Sequence, residues 1–139
     1  MFGNNQYDDC NKIIDGIVLG NIKAASSEII LQQHGVTHIL TVGSGLKPKF
    51  PLKYKYKVIE EYDIPSANLI QHWPKCHDWM DQAISAGGTV LVHCYAGVSR
   101  SSSCVIAYLM QERQMSFQDA FSFASKKRPI IFPNMGFQR

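Results

Sequence analysis

The chain has 139 residues, 45% of them hydrophobic and 18% charged, with a formal net charge of +3. This is the size and balance of one globular domain able to bury a core, which excludes a disordered or low-complexity chain, and the charge is too mild to call for nucleic acid while suiting an anionic partner. No apolar run reaches the roughly 18 residues of a membrane span, and the four cysteines, Cys10, Cys76, Cys94 and Cys104, show neither metal-ligand spacing nor a secretory leader upstream; reduced thiols in an intracellular, cytoplasmic or nuclear, setting are expected, with no metal or cofactor.

Residues 1–11 are polar and expected to be loose, and Gly3 stands one place too late for N-myristoylation. Ile13 and Ile14, then Asp15 and Gly16, then Ile17, Val18 and Leu19 predict a hairpin whose turn dipeptide favours type I′ geometry. Residues 24–34 read as one helix, with Ile29, Ile30 and Gln33 in spacing and Gly35 as its stop. Residues 37–42 read as a buried strand. Tyr54, Tyr56 and Val58 alternate with Lys53, Lys55 and Lys57, the pattern of a half-exposed strand near a sheet edge. The lysine row is read as a solvated face, with a phosphopeptide contact as the alternative. After the loop that carries Glu60, Glu61, Tyr62 and Asp63, an amphipathic helix is expected to about residue 86. Trp73, Cys76, His77, Met80 and Ile84 form its stripe, and Gly87 and Gly88 stop it.

Thr89, Val90, Leu91 and Val92 form the run around which the chain is organised. It reads as a buried strand, breaks into small residues, and resumes helical apolar spacing over residues 103–114. A strand that enters a helix through a tight loop presents unpaired N–H groups at its carboxyl end, an anion site. Cys94 opens this loop and Arg100 follows six positions later. A helix N-terminus and a nearby guanidinium can bring a thiol from about 8.5 to between roughly 3.5 and 7.5, so Cys94 is expected to be largely ionised at neutral pH. If the amides of Tyr95, Ala96, Gly97, Val98, Ser99 and Arg100 curl inward, they cradle phosphoryl oxygens while the Arg100 fork takes two of them, and Gly97 permits the turn. A nucleophile beneath a bound phosphoryl group is the geometry of covalent phosphoryl transfer. Taken singly, Cys94 reads as a buried hydrophobe and Arg100 as a surface charge; it is their joint spacing at a strand–helix join that favours chemistry.

Such a transfer needs a proton donor for the departing oxygen. Glu60, Glu61 and Asp63 all lie in a loop expected on the same rim, and the residues alone leave the choice open. Downstream, Val105, Ile106, Leu109 and Met110 predict a buried helix. Ser116 caps a second one to residue 127 with Phe117, Ala120, Phe121 and Ala124 inward, Arg128 and Pro129 end it, and Pro133 and Asn134 start a last helix.

The run His93-Cys94-Tyr95-Ala96-Gly97-Val98-Ser99-Arg100-Ser101 resembles the signature loop of the cysteine-based protein tyrosine phosphatases, and its second half resembles the dual-specificity branch. Residues 15–21, 35–40, 106–110 and 128–134 follow the order seen in small members of that branch. The resemblance implies a single α/β domain over residues 12–139, with a central mixed, mostly parallel sheet flanked by helices. It implies hydrolysis of phosphotyrosine and phosphoserine or phosphothreonine in protein partners through a phosphocysteine intermediate. By the same resemblance Cys94 is the nucleophile, and Arg100 with the loop residues Tyr95, Ala96, Gly97, Val98 and Ser99 binds phosphate. Asp63 is acid and then base, Ser101 donates to the sulfur as it departs, and His93 orients the loop and tunes the thiolate. The loop lacks the basic residues that inositol-lipid relatives carry. Two readings from other classes remain: a phosphopeptide-binding module that does not turn over, and a sulfurtransferase using the same cysteine loop.

Overall fold

The computed structural model describes residues 8–60 and 73–132. Strands β1 (Cys10–Ile14) and β2 (Ile17–Gly20) form the expected hairpin. β1 starts inside the segment expected to be loose. Only Gly16 of the turn has a positive φ, +93°, so the turn is not type I′. The register shifts between Lys12 and Ile14, and Lys12 pairs with Asp15 of the turn at 2.5 Å.

Helices α1 (Ile22–Ala25) and α2 (Glu28–Gln33) stand where one helix was expected. Two side chains split the segment: Asn21 Oδ1 accepts from the Ala24 amide and Ser27 Oγ from the Ile30 amide, each capping its own short helix. The break turns Ile29 outward, 69% exposed, and buries Leu31. Gly35, at φ +66°, ends α2 as expected.

Strands β3 (His38–Val42), β4 (Lys55–Ile59) and β5 (Val90–His93) join β2 in parallel, giving the order β1-β2-β5-β3-β4. β4 lies at an edge, as its lysines suggest. Its inward residue is Ile59, whereas Val58 faces out. Helix α3 (Trp73–Ser85) buries Cys76, His77, Met80 and Ala83. Helix α4 (Arg100–Glu112) begins three residues before the expected start, so Ser101, Ser102 and Ser103 form its first turn, and Met110 turns partly outward. Helix α5 (Phe117–Lys127) is capped by Ser116 as predicted. The His77 ring packs over Tyr108, and its Nε2 lies 2.7 Å from Glu112 Oε2, tying α3 to α4.

Alternation along the strands divides the core into two layers. Ile17, Leu19, Leu40, Val42, Val90 and Val92 pack beneath α3, α4 and α5. Val18, Ile39 and Leu91 pack beneath α1 and α2. The described residues therefore form one α/β domain, a five-stranded mixed and mostly parallel sheet flanked by helices. Among them no helix is long and apolar enough to cross a membrane. The carboxyl ends of β2, β5, β3 and β4 meet at one rim. Glu61, Asp63, the Trp73 side chain and the helix expected after Pro133 lie outside the described residues.

Leu40 is fully buried in the larger layer. Leu40→Ala is expected to cost about 2–5 kcal/mol, read as a lower urea midpoint at unchanged slope.

Candidate active site

The parallel register brings Thr41 of β3 opposite His93 of β5, and the Thr41 hydroxyl lies 2.9 Å from His93 Nε2. His93 Nδ1 lies 3.1 Å from the Cys94 carbonyl. A carbonyl only accepts, so Nδ1 carries the proton, and Nε2 accepts from Thr41. Burial lowers the His93 pKa to about 4, against a smaller upward pull from the Cys94 carbonyl. The ring is therefore neutral near pH 7, and it fixes the main chain at Cys94 without adding charge there. Nothing in the sequence beyond the strand pattern singled out Thr41.

Cys94 is buried at the floor of the loop, with Sγ 3.1 Å from Ser101 Oγ. The Gly97 amide donates to the same sulfur at 3.2 Å. Tyr95 and Ala96 are exposed, Val98 and Arg100 half-buried, Ser99 buried. The loop carbonyls are fastened to the surrounding body: Tyr95 O accepts from the Ile22 amide at 2.9 Å, Val98 O from the Phe132 amide at 2.7 Å, and Ser99 O from the Ser103 amide at 3.0 Å. Gly97 O accepts from Arg128 Nε at 3.0 Å. In a planar trans peptide the next residue's N–H points opposite to the carbonyl. Carbonyls held by the surrounding body therefore direct the amides of Ala96, Val98 and Ser99 to the opposite side of the loop.

The serines that open α4 extend this fastening. Ser102 Oγ lies 2.7 Å from Val98 O and 2.9 Å from Ser99 O, with its one proton shared between them, and Ser103 Oγ donates to Ser99 O at 2.9 Å. Neither residue was singled out as functional; serines at consecutive first-turn positions were the available signal. The Arg100 side chain crosses to the end of β3: a Cβ on Gly43 would lie 2.9 Å from its Nη1. Gly97 has φ +71°, and a Cβ there would lie 2.6 Å from Gly20 O and 2.7 Å from Arg128 Nη2. No other residue type fits that position without moving the backbone of β2.

The structure thus brings Cys94, Ser101, Arg100 and loop residues 95–100 together, with His93 behind them. Asp63 and Glu61 fall outside the described residues, and Glu60 is exposed just past β4. Arg128, expected only to end a helix, is fully buried against the back of the loop. Burial raises the Cys10 and Cys76 thiols to about 11 and pushes Cys104 well above its ordinary value, leaving all three protonated at neutral pH. Among the described residues no group of His, Cys, Asp or Glu could hold a metal ion.

The family model for the dual specificity phosphatase catalytic domain matches residues 17–139. The chain is 43% identical over 127 residues to dual specificity protein phosphatase 1 of Arabidopsis thaliana, covering 91% of this chain and 64% of that protein. It is 40% identical over 121 residues to dual specificity protein phosphatase 19 of Mus musculus, covering 87% and 55%. It therefore spans between half and two thirds of the length of these two curated relatives. Among solved structures, the human tyrosine phosphatase-like serine/threonine/tyrosine-interacting protein superposes with a TM-score of 0.90 at 36% identity, over 93% of this chain and 90% of that one.

The neutral His93 generates a pH-dependent stability. The unfolded chain binds a proton near 6.5 and the folded ring only near 4, so stability present above about 6.5 is lost as pH falls toward 4. This residue should account for a loss of about 3 kcal/mol across that window, by the roughly 1.36 kcal/mol that each pH unit carries. Urea unfolding at several pH values should show this component in the wild type and not in His93→Asn.

Proposed function

The chain belongs to the dual specificity phosphatase family, and on that premise we propose that it hydrolyses phosphotyrosine and phosphoserine or phosphothreonine in proteins through a phosphocysteine intermediate. The observation that carries the reading is the loop whose carbonyls are tied outward around a buried cysteine sulfur. In the first step Cys94 Sγ attacks phosphorus, the S–P bond forms, and the ester P–O bond breaks. The departing oxygen takes a proton from Asp63, because an alkoxide or phenoxide leaves poorly without one. The inward amides and the Arg100 guanidinium hold the equatorial oxygens as charge redistributes.

In the second step water attacks phosphorus and gives its proton to the Asp63 carboxylate. The S–P bond breaks, and inorganic phosphate is released. Sulfur leaves as a thiolate, and the Ser101 hydroxyl at 3.1 Å is in position to donate a hydrogen bond to it. Ser101 thus acts on the second step and the Gly97 amide supports the sulfur in both. A non-catalytic phosphopeptide module would be expected to have lost the cysteine, the arginine or the acid, and the chain has Cys94, Arg100 and Asp63. The four free thiols suit a reducing, cytoplasmic or nuclear, setting, and phosphoprotein substrates would give the chain a role in signalling.

Cys94→Ser replaces the thiolate with a hydroxyl that has no base beside it. Phosphate release from an aryl phosphate without added metal should vanish while phosphopeptide binding persists; turnover in this variant would rule out the covalent route. Asp63→Ala should slow hydrolysis of phosphotyrosine or an alkyl phosphate by about 10²–10⁴, the usual contribution of general acid catalysis. An activated aryl phosphate should be slowed far less, and the basic limb of the pH–rate profile should flatten. Glu60→Ala and Glu61→Ala should show neither effect. Equal slowing of all substrates by Asp63→Ala would move the proton donor to one of those glutamates.

A further inference from the structure

Arg128 is the C-cap of α5 and the largest of the fully buried side chains. A guanidinium with no access to water costs several kcal/mol unless its charge and donors find partners. Its donors reach only neutral acceptors: Nε donates to Gly97 O at 3.0 Å, and one Nη donates to Asp8 O and to Asn11 Oδ1, each at 2.8 Å. Among the described residues no carboxylate stands within ion-pair distance of it. The remaining nitrogen, Nη2, is buried without a hydrogen-bond partner and abuts the Cα of Gly97. A buried cation therefore stands one residue from the sulfur, since the residue whose carbonyl it binds is also the one whose amide donates to Cys94.

We propose that Arg128 is a positioning residue of the anion loop: it holds the Gly97 carbonyl outward so that the Val98 amide faces the anion, and its buried charge favours both the Cys94 thiolate and a bound oxyanion. The groups that face Arg128 fit this assignment. Burial acts against its charged form, and Cys10, then Cys94, Asp9 and Asp8 favour it. Cys10 is buried and its thiol raised to about 11, so it stays neutral. Asp8 and Asp9 lie at the surface end of β1, outside ion-pair reach. A Cys94 thiolate and a bound phosphate would add to the negative charge that Asp9 and Asp8 already set against it. Arg100 meets the anion from the front of the loop and Arg128 supports it from behind.

The anion half of this inference rests on the phosphatase reading; the thiolate half does not, and the test keeps them apart. The pH dependence of Cys94 alkylation by iodoacetamide, followed on the Cys94 peptide by mass spectrometry, reports the thiolate without turnover. Inorganic phosphate binding, followed by calorimetry, reports the nest. Arg128→Met should raise the midpoint of alkylation by about one pH unit, as loss of a nearby opposite charge does, and weaken phosphate binding about tenfold or more. Arg128→Lys should keep the midpoint near that of the wild type, because the charge remains. It should still weaken phosphate binding, because one ammonium cannot span Gly97 O, Asp8 O and Asn11. A folded Arg128→Met with both quantities within twofold of the wild type would overturn the proposal, and a midpoint raised equally in both variants would overturn its electrostatic half. If Arg128→Met does not fold, Asn11→Ala removes one bond that orients the guanidinium from a half-buried site. Severalfold weaker phosphate binding would support the proposal, and unchanged binding would overturn it. A wild type that binds phosphate but releases none from an aryl phosphate would fail the proposed activity and leave Arg128 testable.

Discussion

The outward fastening of the loop carbonyls is the constraint on which the site depends. Backbone amides prefer to pair with carbonyls, and a loop of small residues left to itself would satisfy its own groups in a turn. Here the acceptors are claimed by neighbours: the Ile22 amide, Arg128 Nε, the Phe132 amide and the hydroxyls of Ser102 and Ser103. With those carbonyls occupied, the amides of Ala96, Val98 and Ser99 face away from them, toward the space above Cys94. Preorganisation of this kind is what makes electrostatic stabilisation effective, because no reorientation is needed as the reaction proceeds.

Each fastener comes from a different part of the fold, and the sheet brings them together. The parallel run of β2 beside β5 places Gly20, Asn21 and Ile22 against the loop. Asn21 is held in turn by Asp9, whose main chain accepts the Asn21 amide at 3.0 Å and whose carboxylate accepts from its side chain at 3.1 Å. Behind Cys94, the register of β3 on β5 pairs Thr41 with His93. The neutral imidazole is the inexpensive solution at a buried strand end, since it satisfies two polar neighbours with no charge to desolvate.

The sheet, the order of its helices and the Cys94–Arg100 loop were legible because each is written in local pattern: β-branched runs, helical spacing and a motif contiguous in sequence. What the pattern did not resolve has identifiable causes. The split between α1 and α2 depends on caps at Asn21 and Ser27, which outweigh the continuous helix formers around them. The hairpin turn departs from type I′, since only Gly16 takes a positive φ, and the register of the two strands shifts between Lys12 and Ile14. The functional weight of Thr41, Ser102, Ser103 and Arg128 was hidden for a different reason. Thr41 and Arg128 meet the loop only through tertiary contact, and hydroxyls at the start of a helix look alike whether they cap it or fasten a neighbouring carbonyl. Asp63, by contrast, was singled out over Glu60 and Glu61 by resemblance alone.

The contact between Arg128 and the segment before β2 spans 120 residues to Asp8 and 117 to Asn11. Contacts this distant in sequence close large loops and form late, after local helices and the hairpin have paid little to appear. A chain emerging from the ribosome will have made Cys94, Arg100 and Ser101 well before Arg128 exists, yet the Gly97 carbonyl will have nothing to hold it. Cys94 therefore acquires its surrounding loop geometry only near the completion of folding. Partly folded molecules carry Cys94 without the organised loop around it, which couples the geometry of the site to the integrity of the whole domain.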